Sequence, residues 1–61
     1  MTTALDVLRK ELEDQIILHR DAMAWGQIED FLEYKRQVGI ITGLSAALER
    51  VKDLQKYEEE L

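Results

Sequence analysis

The chain has no cysteine and no proline, three glycines, one histidine, one tryptophan, two tyrosines and one phenylalanine. Without cysteine there is no disulfide staple and no thiolate metal site. With one histidine, a zinc site would depend on carboxylates. Without proline, the strongest helix breaker is missing. Long apolar runs are missing too. The longest uncharged stretch, Gln37–Leu48, is closed by Lys35-Arg36 and Glu49-Arg50. It is far short of the ~20 residues that cross a bilayer. The start, Met1-Thr2-Thr3-Ala4-Leu5-Asp6, lacks the basic region and apolar core of a secretory signal. Basic residues are outnumbered: 8 Lys+Arg against 13 Asp+Glu give a net charge of -5. That balance excludes the basic face that nucleic-acid binding needs.

What is present is a chain of 61 residues, 46% of them apolar, too rich for a disordered polar segment. Its length allows one small domain. Chains of this size bury only ~60% of their surface and usually need a staple. With disulfides excluded, self-association is the remaining common one. The isolated protein is therefore expected not to be a folded monomer at micromolar concentration.

Ala, Leu, Glu, Lys, Arg and Gln dominate and point to helix throughout. A first helix is expected over about 4–24, N-capped by Thr3 with Asp6 in its first turn. Leu5, Leu8, Leu12, Ile16, His19 and Met23 form its apolar face. Asp6–Lys10 and Lys10–Asp14 stand four apart with opposite charge. A turn is expected over 25–30, with Gly26 as the residue that ends the helix. A second helix is expected over about 31–59, capped by Asp30 with Glu33 three residues on. Its stripe runs Phe31, Tyr34, Val38, Ile41, Leu44, Leu48, Val51, Leu54 and Leu61, widened by Ile40 and Ala47. Such a short connection makes the helices antiparallel neighbours. Lengths of ~31 Å and ~45 Å leave the second helix overhanging by about two turns. Val51, Leu54 and Leu61 would then lie beyond the hairpin.

Gly39-Ile40-Ile41-Thr42-Gly43 is the most distinctive segment. Each glycine inside a helix costs ~1 kcal/mol relative to alanine. Glycines four apart, extended by Ala46 and Ala47, let another backbone come close. The contact is expected either within the hairpin or across a dimer, through Gly39, Gly43, Leu44, Ala47, Leu48, Val51 and Leu54. Alternatively the glycines make room for Trp25 or Met23. Trp25, Phe31 and Tyr34 gather around the turn. They either close the core, which would shield Trp25, or form a binding anchor. Gln37 is expected near solvent.

Nothing points to chemistry. His19 is alone on an apolar stripe and reads as a core or interface residue. Glu11, Glu13, Asp14, Asp21, Glu29, Asp30 and Glu33 read as a solvated acidic face. No calcium loop, phosphate-binding loop, nucleophile elbow or Glu-x-x-His pattern is present. No catalytic residue, cofactor, metal or small-molecule substrate is expected, and the chain is expected not to be an enzyme.

The run Tyr34-Lys35-Arg36, Val38-Gly39, Ile41, Gly43-Leu44, Ala47, Val51 and Asp53-Leu54 resembles small proteins of tailed bacteriophages. Those are encoded among head and packaging genes. The resemblance covers about Leu5 to Leu54. It implies a virion-associated or assembly-associated role and brings no catalytic residue or cofactor with it. The expected fold is all-α: an antiparallel hairpin with a longer second helix, associating into a four-helix bundle or larger helical assembly. The expected function is protein–protein interaction, as a phage structural or assembly factor. The alternative is a small acidic regulator that occupies a host protein with its amphipathic helix. Expected partners are further copies of the chain and a larger phage or host protein, with no nucleic acid and no membrane. The expected location is the infected cell's cytoplasm or the virion.

Overall fold

Thr3 and Asp6 begin the first helix by reciprocal hydrogen bonds. The Asp6 amide donates to Thr3 Oγ1 and the Thr3 amide donates to Asp6 Oδ2, both at 3.1 Å. This is the capping-box arrangement with the shorter acid in the third helical position. Asp30 caps the second helix by accepting the Glu33 amide at 2.7 Å. Between these signals the computed structural model, which describes residues 2–25 and 30–60, holds two helices. They are α1 (Ala4–Trp25) and α2 (Phe31–Glu60). Gly26 and Leu61 lie outside the described residues. Trp25 closes α1 instead of opening the turn.

The helices pack against each other as an antiparallel hairpin with a longer second helix. Among the described residues two side chains are buried, Ile16 at 9% and Val51 at 5% exposure. Around them Leu5, Leu12, His19 and Met23 of α1 and Gln37, Ile41, Leu44, Leu48 and Gln55 of α2 are half-buried. With Arg9 added, these positions fall on strict alternations of four and three. On α1 they are 5, 9, 12, 16, 19 and 23, and on α2 they are 37, 41, 44, 48, 51 and 55. That is the heptad spacing of a coiled-coil seam.

The expected stripe on α2 does not follow this seam. From Phe31 to Leu54 it takes more steps of three than of four, so it winds obliquely around the helix. It meets α1 only in its middle, from Ile41 to Val51. Phe31 (68% exposed), Tyr34 (48%) and Val38 (39%) depart on one flank and Leu54 (52%) on the other. On α1, Leu8 is likewise displaced from the seam. Arg9 takes that place and donates from Nη1 to Gln55 Oε1 at 3.2 Å.

Val51 is not on an overhang. Gln55 Nε2 donates to Asp6 Oδ1 at 2.7 Å, so the start of α1 is tied to α2 one turn past Val51. Counted from the His19–Gln37 pairing, the fifteen residues back to Ala4 reach as far as the fifteen on to Lys52, so Val51 lies opposite the first turn of α1 and the overhang begins beyond it. Gln37 is not at the surface either. Its Oε1 lies 2.9 Å from His19 Nδ1 and its Nε2 donates to Glu33 Oε1 at 3.2 Å.

Replacing Ile16 by alanine should lower stability by about 2–4 kcal/mol, whereas the same change at its neighbour Ile17 should cost under about 1 kcal/mol. Thermal unfolding followed by circular dichroism at one fixed concentration measures both.

Candidate interaction surface

Each seam residue has two chain neighbours, and in an antiparallel pair of right-handed helices these sort to opposite sides. The residues that follow the seam positions share one flank of the hairpin. On α1 they are Asp6, Lys10, Glu13, Ile17, Arg20 and Ala24. On α2 they are Val38, Thr42, Ser45, Glu49, Lys52 and Lys56. This flank is charged and laced with ion pairs. Arg9 meets Glu13 at 3.1 Å, and Lys52 meets Glu49 at 3.7 Å. Lys10 and Asp14 meet at 3.5 Å. Lys10 does not also serve Asp6, which is held by Thr3 and Gln55.

The residues that precede the seam positions share the other flank. On α1 they are Ala4, Leu8, Glu11, Gln15, Leu18 and Ala22. On α2 they are Arg36, Ile40, Gly43, Ala47, Arg50 and Leu54. Here the charges are only Glu11, Arg36 and Arg50. All but Ile40 are exposed, Leu8 at 41% and Leu18 at 59%. Gly39, Ala46 and Tyr57 border this flank on α2 and are exposed as well.

The structure divides the residues expected to make the helix–helix contact. Leu44, Leu48 and Val51 face α1. Gly39, Gly43, Ala47 and Leu54 face away from it. A Cβ added at Gly39 or Gly43 would meet nothing within 4 Å. The glycines therefore serve no close approach within the hairpin. Nor do they make room for Trp25, which is 83% exposed. Their cost in helix propensity, about 1 kcal/mol each, has no compensation inside a single chain.

The aromatics around the turn do not close the core of a single chain. Trp25 is exposed on the outer side of α1. Phe31 is exposed at the first turn of α2, with Lys35 Nζ 5.0 Å from its ring centre. Tyr34 stands on the charged flank. The three present apolar surface near one end of the hairpin without sharing a buried site.

Polar clasps end the seam on both sides. At the turn end, Arg36 donates to both carboxylate oxygens of Glu33, at 2.7 and 2.9 Å. Glu33 in turn receives Gln37, which engages His19. With Gln37 Oε1 as acceptor, the His19 proton sits on Nδ1. His19 is thus a seam residue with a structural partner. The Arg36 hydrogen bonds, followed by that from Gln37, lower the Glu33 pKa to about 2. At the other end, the Thr3 amide and hydroxyl, helped by Gln55, lower that of Asp6.

Neither of two depressions among the described residues is a deep site for a small molecule. One shallow depression is lined by Thr3, Asp6, Arg9, Gln55, Glu58 and Glu59, and another by Glu13, Ile16, Ile17, Arg20 and Leu48. Among the described residues no cluster of three metal-ligating side chains forms. No helix among them is long and apolar enough to cross a membrane. No protein family, curated protein or solved structure matches the chain.

Glu33 and Asp6 both have lowered pKa values in the fold. Their contribution to stability is present above the unfolded value, 4.5 for Glu33, and is lost as pH falls through the folded one. Melting temperature should therefore be level above about pH 5 and decline towards pH 2. In Glu33→Gln the decline should be shallower, and the melting temperature at neutral pH lower. Melting curves of both proteins across this range measure the difference.

Proposed function

We propose that the chain is a non-enzymatic protein–protein interaction module that works through helix–helix contacts. One observation carries this reading. Among the described residues two side chains are buried, while Leu8, Leu18, Leu32, Leu54, Trp25 and Phe31 are left open to water. This much exposed apolar side chain beside so small a core is what a protein partner covers. The likeness to small proteins of tailed-phage head and packaging genes supports a role as a structural or assembly factor. Its place would then be the infected cell's cytoplasm or the virion.

A second reading draws on the net charge of -5. An acidic regulator would lay one helix in a groove of a host protein, or present its carboxylates to a basic site. The two readings differ in stoichiometry. An assembly factor or virion component purifies with particles or their precursors at a fixed copy number. A regulator is found in one-to-one complexes with a soluble host protein.

Tagged protein recovered from the cells that produce it, quantified by mass spectrometry across a density gradient, decides between them. Co-sedimentation with particles or precursors is the expected result. Replacing Trp25 by alanine should shift the melting temperature by no more than about 4 °C, since an exposed site contributes within about 0.5 kcal/mol. If Trp25 anchors the larger partner, the same change should remove most of the recovered partner.

A further inference from the structure

We propose that the weakly charged flank is covered by a second copy of this chain. The copy is related by a two-fold axis parallel to the helices, so that each α1 lies on the partner copy's α2 in an antiparallel four-helix bundle. This rests on the interaction-module reading and names its first partner and geometry.

Area argues for a partner of this size. A folded protein of 7.1 kDa is expected to expose about 4,100 Å². The hairpin exposes 5059 Å², an excess of about 1,000 Å². A standard interface takes about 800 Å² from each partner, so one further copy accounts for the excess.

Charge chooses the axis. On this flank the acid, Glu11, is on α1, and the bases, Arg36 and Arg50, are on α2. Glu11 and Arg50 form no ion pair among the described residues. A two-fold axis parallel to the helices keeps every residue at its own height along the bundle. Heights are set by the Asp6–Gln55 and His19–Gln37 pairings. Glu11 of one copy then comes near Arg50 of the other, and Leu18 comes over the Gly39–Gly43 stretch. A large side chain meets the two positions that have no side chain, which gives the glycines the close contact absent within the hairpin. An axis perpendicular to the helices would instead lay α2 on α2 and bring Arg36 towards Arg50 of the other copy.

Sedimentation equilibrium of the full chain across the micromolar range, with helicity followed by circular dichroism, tests this. The expected species has the mass of two chains and dissociates on dilution. Glu11→Arg and Arg50→Glu should each raise the dissociation constant about tenfold, and their combination should restore it. Gly43→Leu should also weaken the dimer, because its side chain takes the space of the partner copy's Leu18. Lys10→Glu, on the opposite flank, should leave association unchanged. A monomer at all concentrations overturns the proposal, as does a double variant no better than the singles. A dimer tightened by Arg50→Glu overturns it in favour of the perpendicular axis. A monomer that still travels with particles overturns the dimer while leaving the interaction-module reading in place.

Discussion

The hairpin depends on a narrow seam whose apolar middle is closed at both ends by polar side chains that find partners across it. Ile16 and Val51 are its buried side chains. On either side, His19 meets Gln37, and Asp6 and Arg9 meet Gln55. Apolar contacts alone would hold two helices together in several registers, since sliding one past the other by a turn replaces one aliphatic contact by another. A slide that separated Gln55 from Asp6 would cost hydrogen bonds as well. Polar residues at seam positions trade some stability for register in this way. The charged and polar reach of Arg9, Gln37 and Gln55 is thus as much a part of the fold as its leucines.

The same economy leaves much of the apolar surface of the single chain uncovered. Exposed ion pairs such as Lys10–Asp14 contribute little individually, and the capping residues secure the helix starts without joining one helix to the other. The union of α1 and α2 falls to one row of side chains on each. A row of this kind covers one side of a helix, while the apolar surface of α2 winds around it. Whatever faces the seam is used; Leu32, Leu54 and Tyr57 are not.

The two helices were legible because their signals are local. Capping residues stand where the structure uses them, no proline intervenes, and the helix-forming residues run on both sides of a short polar connection. The antiparallel arrangement followed from the length of that connection. The seam was less legible. Collecting hydrophobic residues at three- and four-residue steps selects what is apolar, whereas packing selects what is aligned. On α2 these criteria part company at Tyr34 and Val38 on one flank and at Leu54 on the other. The missing signal was present as a strict alternation of four and three through Arg9, His19, Gln37 and Gln55, once polar residues are admitted to it. The overhang was misplaced for a simpler reason: the 22 residues of α1 run alongside about the first 22 of α2, and these include Val51.

The candidate surface was legible as composition but not as geometry. Gly39, Gly43 and Ala47 marked α2 as a helix that another backbone could approach. Nothing in their spacing said which helix, and α1 does not take that place. The side becomes clear only when the seam positions are known, because the neighbours that precede them fall together across both helices. Seen so, the chain separates its surfaces. One flank carries paired charges that water stabilises, and the other carries leucines, alanines and glycine. A helix propensity sacrificed twice, at Gly39 and Gly43, on the flank with least charge is hard to reconcile with a surface meant for solvent. Alanine at either position would strengthen the hairpin alone, since nothing lies within 4 Å of the added Cβ. The residues kept there weaken the single chain, and the proposed pairing of two copies is where that loss would be offset.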